Sequence, residues 1–300
     1  MNLHESKTVK LEDGRLLGYA DYGDPDGQAI FYFHGFPGSR LEVVNFDEIA
    51  RASRYRLIGI DRPGMGLSTP APNRTLLSWV DDIVRFADAL NIDTFSIIGH
   101  SGGAPFVAAC AYQIPRRLKS VAIVSGMAPL ENPASKTGMP MSQRFINILI
   151  KTLPCLTTPM MAMTLRMLKN PDSKMMQQML KQLPAADQAV FKDAEYSTKL
   201  IRGTLEAFRQ GKQEPAQEMK LLFKPWKFDL EKINCPVTVW YGALDTQAPL
   251  SHAKIYASLI PHATLKILPD EGHHSILKNH MAEIMRSVIT TVAENYAMTR

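Results

Sequence analysis

Through the first half of the chain, short apolar runs alternate with longer stretches whose apolar positions recur every three or four residues. "AIFYFHG" (Ala29–Gly35), "RLIGIDR" (Arg56–Arg62), "FSIIGHS" (Phe95–Ser101) and "LKSVAIVSG" (Leu118–Gly126) are runs of the first kind. They are too continuously apolar to keep one face in water, so they predict strands of a parallel sheet covered on both sides. Leu76, Val80, Ile83, Ala87 and Leu90 fall on one helical face. Ala104 to Ile114 is apolar on nearly every side, as a helix buried against such a sheet must be. Ahead of these, "TVKLEDGRLLGYADYG" predicts a hairpin, with Asp13-Gly14 suited to the positive φ of a tight turn.

After Gly126 the pattern changes. The chain to about Lys224 reads as helix-rich, with Thr158-Pro159 and Asn170-Pro171-Asp172 as expected helix starts. Alternation resumes with "PVTVWYGALD" (Pro236–Asp245), a helix from Pro249, "ATLKILPD" (Ala263–Asp270) and a last helix from about His280. Met281, Ile284, Met285, Val288 and Val292 are the expected buried face of that last helix. The predicted architecture is α/β: a mostly parallel central sheet flanked by helices. Residues 1–126 and 225–300 form its core, and 127–224 form a helical cap inserted between the two halves.

Composition refines this picture. The apolar share of 45% and charged share of 21% exclude a disordered chain. The amino terminus has no apolar core of signal-peptide length. The longest stretch without Asp, Glu, Lys or Arg, Thr94 to Pro115, is interrupted by Gly99, Gly102, Gly103 and Pro105. It therefore reads as strand plus buried helix, and no integral membrane segment is expected. Three cysteines without metal-like spacing predict a reduced, cytoplasmic protein. Charge is uneven: residues 127–224 hold 14 Lys and Arg against 8 Asp and Glu. These are dispersed and read as a solvated, mixed-sign surface, and nothing resembles a nucleic-acid module. Eleven of the sixteen methionines also lie there, suiting either a helical core or an adaptable apolar ligand surface.

The candidate chemistry starts at Gly99-His100-Ser101-Gly102-Gly103, between an expected strand and an expected helix. This is the G-x-S-x-G nucleophile elbow, in which a sharp turn holds the serine hydroxyl clear of the sheet at a helix N-terminus. Gly99 and Gly103 must be small for the turn to form. A serine hydroxyl needs a base, and the base needs a group to orient it. Asp245 ends a strand at the carboxyl edge of the sheet, and His273 follows the next strand in "LPDEGHHS". His274 competes for the base, and Asp270 and Glu271 for the acid. His4, His252, His262 and His280 are expected at the surface. The backbone N–H groups of Gly102 and of Phe36, in "HGFPGS" (His34–Ser39), are the expected oxyanion donors.

"FHGFPGS", "DRPGMGLS", "GHSGG", "YGALD" and "DEGHHS" occur in that order. On these motifs the chain resembles the α/β-hydrolase superfamily, in the capped serine-hydrolase branch that includes esterases and proline iminopeptidase-like enzymes. The resemblance implies a triad in the order Ser101, Asp245, His273, with His34, Gly35, His100, Asp61 and Arg62 in support. It implies a small-molecule substrate, with a mainly apolar carboxylic ester as the first expectation, and no metal or organic cofactor. Serine at the nucleophile position argues against epoxide hydrolase or haloalkane dehalogenase chemistry. Gly102 stands where proline iminopeptidases usually carry a large aromatic residue. An amide or carbon–carbon bond hydrolase, or a slow-turnover receptor or signalling hydrolase, stays open as an alternative.

Overall fold

The hairpin forms where the Asp-Gly pair places it. Gly14 has φ of 84°, and β1 (Lys7–Lys10) pairs antiparallel with β2 (Leu16–Gly23). The computed structural model describes residues 3–289. The remaining strands are β3 (Gln28–Phe33), β4 (Tyr55–Ile60), β5 (Phe95–His100), β6 (Leu118–Val124), β7 (Val237–Gly242) and β8 (Ala263–Leu268). Together they make one eight-stranded sheet in the order β1-β2-β4-β3-β5-β6-β7-β8. The β2–β4 pair is antiparallel and every pair from β4 to β8 is parallel.

Alternation along each strand feeds two cores. Phe31, Phe33, Ile97 and Val239 face a layer that contains α2 (Leu76–Ala89) and α3 (Ala104–Gln113). Ile30, Tyr32, Ile98 and Trp240 face the other side, where α1 (Asp47–Ala52) packs. Parallel strands buried on both faces explain the unbroken apolar runs. At the β8 edge, Lys266 lies 4.2 Å from the Trp240 ring, covering it while keeping its charge in water.

Between β6 and β7 run α4 (Met141–Thr152), α5 (Thr157–Leu168), α6 (Lys174–Lys181), α7 (Ala185–Lys192), α8 (Ala194–Glu206) and α9 (Gln213–Leu222). Helix α6 starts after the expected Asn170-Pro171-Asp172, because Ser173 supplies the cap by accepting the Met176 N–H at 3.3 Å. After β7 come α10 (Leu250–Leu259) and α11 (Ser275–Ser287). Helix α11 begins five residues before the expected His280. Met281, Ile284, Met285 and Val288 are buried as expected, and Val292 lies outside the described residues.

Two ion pairs, one buried and one partly buried, pin the α4–α9 segment to loops at the edge of the sheet. Glu218 on α9 receives Arg62 through Nε and Nη2 at 3.0 and 2.6 Å, and both side chains are fully buried. Arg40 joins Asp61 at 2.8 Å and Glu206 on α8 at 2.9 Å. Burying charge is unfavourable alone, so removing one partner costs more than the pair contributes. Glu218→Ala leaves a guanidinium without its carboxylate and is expected to lower stability by about 3–5 kcal/mol. Urea denaturation checks this: the midpoint should fall with little change in slope, and an unchanged midpoint contradicts it.

Candidate active site

Strand β5 runs straight into a turn at Ser101, whose φ is 51°. A non-glycine residue there costs about 1–3 kcal/mol, so the surroundings must hold it. They do so by close approach. A β-carbon on Gly103 would lie 2.1 Å from the Phe33 carbonyl oxygen, and one on Gly99 would lie 2.4 Å from Val107 Cγ2. Only glycine fits at either position. Helix α3 starts immediately afterwards with Pro105 in its first turn, so its N-terminal end points at the serine. A β-carbon on Gly102 would meet Phe36 Cβ at 2.6 Å and Phe36 N at 3.3 Å. The loop after β3 therefore lies against the residue after the serine, with the two expected oxyanion donors next to one another.

Asp245 follows β7 and is buried. Its Oδ1 accepts the Gln247 and Ala248 N–H groups, both at 2.8 Å, and its Oδ2 faces His273 Nδ1 at 2.8 Å. A carboxylate only accepts, so Nδ1 carries the proton and Nε2 is left with a lone pair. The bond to Asp245 is the one hydrogen bond of the His273 ring among the described residues. Burial opposes charge on this ring, but Asp245 outweighs burial and raises the His273 pKa above its ordinary 6.5. Burial pushes the Asp245 carboxyl up, and His273 with the two N–H donors more than reverses that, so its pKa is lowered.

The competing residues go elsewhere. Glu271 accepts from Asn279 and pairs with His280, and Asp270 is exposed. The His274 ring meets the Gln247 amide at 3.2 Å. Burial, with the neighbouring charge of His273 and His100, lowers its pKa to about 3. His252, expected at the surface, is buried: Nδ1 accepts the Ala128 N–H at 3.4 Å and Nε2 meets the Ser135 carbonyl at 3.1 Å. An aromatic ring on the inner face of α10 gains more from packing than from solvent.

The supporting residues form connected networks. His34 Nδ1 lies 2.8 Å from the Gly35 carbonyl, and Nε2 accepts the Arg62 N–H at 3.4 Å. Arg62 also donates to the His34 and Gly35 carbonyls at 2.5 and 2.9 Å, fixing the loop that carries Phe36. Asp61 turns away from the serine, toward Arg40 and the Leu67 N–H.

Three buried carboxylates join the site that were not among its expected residues. Glu42 accepts from Tyr32 at 2.7 Å and Gly35 N at 2.9 Å, and lies 2.8 Å from His100 Nδ1. Burial works against its charge, but His100 prevails and holds its pKa at about 2. His100 Nε2 in turn meets the His273 carbonyl at 3.2 Å. Asp187 on α7 accepts the N–H groups of His273, His274 and Ser275 at 2.9, 2.8 and 2.9 Å. A carboxylate from a distant helix thereby caps α11, which is why that helix starts at Ser275. Glu218 is the third, through Arg62. An unexpected acid inside the apolar "RLEVV" was the one available hint, at Glu42.

Ser101, Gly102 and Phe36 open onto a cavity of 290 Å³ whose other walls include Met127, Leu130, Ile146, Ile150 and Leu222. Polar atoms come only from amides, the serine and His252, and no carboxylate or ammonium lines it. Burial lowers the His252 pKa, which favours the neutral ring. A larger hollow of 760 Å³ beside Met163 and Met175 has one hydroxyl, Ser173, already used as a helix cap. Volume alone does not mark the site.

A family model described as alpha/beta hydrolase fold matches residues 28–280. The dihydrolipoyllysine-residue acetyltransferase component of the acetoin cleaving system of Cupriavidus necator is 27% identical over 88% of this chain and 63% of its own. A proline iminopeptidase of Xylella fastidiosa is 31% identical over 36% of this chain and 35% of its own. The chain thus spans less than two thirds of either relative. The esterase RhEst1 from Rhodococcus superposes with a TM-score of 0.70 at 16% identity, covering 94% of this chain and 97% of its own. At that identity the superposition speaks for the fold alone.

The fully buried His34 supplies a stability prediction. Burial and the Arg62 charge lower its folded pKa to about 3, from the ordinary 6.5 it regains on unfolding. Its contribution is present above pH 6.5 and is lost as pH falls from there toward 3, at up to about 1.4 kcal/mol per pH unit. Urea titrations across that window should show stability falling less steeply with acid in His34→Gln. Equal slopes would contradict a buried neutral His34.

Proposed function

The chain belongs to the α/β-hydrolase fold family, and on that footing we propose a serine hydrolase that cleaves a small to medium, mainly apolar carboxylic ester. One observation carries this reading. The strained Ser101 opens onto an apolar cavity without charged walls, and Asp245 holds the His273 ring through Nδ1, which in the neutral ring leaves Nε2 free to take a proton. A neutral apolar ester loses little on entering such a space, whereas an ionic substrate loses its hydration without a partner.

Ser101 Oγ attacks the ester carbonyl carbon as His273 Nε2 takes its proton. The carbonyl electrons move onto oxygen, which the Phe36 and Gly102 N–H groups receive. The oxyanion then collapses, the carbon–oxygen bond to the alcohol breaks, and His273 returns the proton to the departing oxygen. Water, activated by the same ring, attacks the acyl-enzyme and frees the acid. Asp245 keeps the tautomer and balances the imidazolium charge. The 127–224 segment acts as the cap that walls the cavity. Peptidase-like recognition of a substrate ammonium has no support, because Asp187, Asp193, Glu195, Glu206 and Glu218 are all engaged within the protein.

Fluorophosphonate labelling and p-nitrophenyl ester turnover test this together. We expect label on Ser101 and a loss of kcat of at least about 10³-fold in Ser101→Ala. Label on another serine, or turnover surviving the substitution, would overturn the assignment. Since the His273 pKa is raised and the base must be neutral, kcat/KM should climb with pH through a midpoint above 6.5. Asp187 adds to that elevation. Asp187→Asn is therefore expected to move the midpoint down and cut kcat roughly tenfold, with KM nearly unchanged. A purely structural Asp187 would lower stability and leave the midpoint in place.

A further inference from the structure

Apolar side chains left in water gather in one stretch. Of the eleven large hydrophobic residues exposed among the described residues, eight fall within residues 132–186. Met141, Phe145 and Ile148 lead them at 75%, 65% and 60% exposure. Spacings of four and three put these on one stripe of α4. The other side of the same helix supplies Gln143, Asn147 and the buried Ile150 to the cavity wall. Helix α4 thus separates the cavity from a strongly apolar outer surface.

Charge identifies what covers that surface. Residues 132–186 contain seven Lys and Arg and a single acid, Asp172. The region therefore combines a net positive charge with protruding aromatic and aliphatic groups, a combination found in helices that lie in a membrane interface. No single helix among the described residues is long and apolar enough to cross a membrane, and α4 is bent by 108° from the chain that continues through α5. The pair suits lying along a surface. A second copy docking here through the same face would bring two net-positive segments together, which Coulomb repulsion opposes.

We propose that α4 to α6 form a docking face for an anionic lipid surface, with Met141, Phe145 and Ile148 entering the acyl boundary. The lysines and arginines around them meet the headgroups. This placement sets the cavity wall at the lipid, so that a lipophilic substrate passes from membrane to cavity without crossing water.

Vesicle flotation tests the docking without calling on turnover. The full chain is mixed with vesicles of phosphatidylcholine alone, or of phosphatidylcholine with phosphatidylglycerol, at low and high salt. We expect binding to the anionic vesicles at least roughly tenfold above the neutral ones, weakened by salt. The double variant Phe145→Ser, Ile148→Ser should lose about tenfold of that binding. It should keep its turnover of water-soluble p-nitrophenyl esters, since neither residue lines the cavity. Ser101→Ala should float like the wild type, so a failed hydrolase assignment would leave this result standing. Equal recovery with both vesicle types, or no change in the double variant, would overturn the proposal. So would a concentration-dependent dimer abolished by the same substitutions, which would give the face to a second copy.

Discussion

One hydrogen bond, from His273 Nδ1 to Asp245, fixes the chemical character of the whole site. With the proton held on Nδ1, the opposite nitrogen of the neutral ring carries a lone pair, as the proposed base for Ser101 must. The other tautomer would present a donor on that side in place of the lone pair. Asp245 can do this because two backbone N–H groups satisfy its other oxygen and keep it ionised although it is buried. The arrangement depends on electrostatics in a dry interior, where an unpaired carboxylate would take up a proton instead.

Around that pair, the protein holds its loops with carboxylates drawn from far along the chain. Glu42 ties the loop before Phe36 to His100, and His100 reaches the main chain of His273. Asp187 gathers three consecutive N–H groups at the start of α11 and thereby sets where the His273 backbone lies. Glu218 and Arg62 hold the carbonyls of the same early loop. The loop of Phe36, the elbow and the histidine loop are therefore parts of one buried polar network. Satisfied networks of this kind are rigid, and the strained Ser101 backbone requires rigidity.

The sheet was legible because its physics is local. A strand buried on both faces must be continuously apolar, and each of the four runs expected before Gly126 is a strand. The elbow was legible for the same reason, since Gly99 and Gly103 are needed by contacts within one turn. What escaped the sequence was set by partners at long separation. The start of α11 was placed late because its cap, Asp187, lies 86 residues before His273. His252 was expected in solvent because helical spacing near Pro249 says nothing about what packs on α10. Glu218 carries no local mark of burial in the sequence, since its partner Arg62 is 156 residues away. In the 127–224 segment, alternation gives way to short helices whose faces are defined by one another, so periodicity along the chain does not fix where they start.

The central claim is that Ser101, Asp245 and His273 work as one unit rather than as three separate contributions. Steady-state kinetics of Ser101→Ala, His273→Ala and the double variant on a single p-nitrophenyl ester test it most directly. If the three act together, the double variant is no slower than either single one, because the first substitution already removes the proton-passing path. Losses that multiply in the double variant would mean that the serine and the imidazole act independently, and would contradict the account.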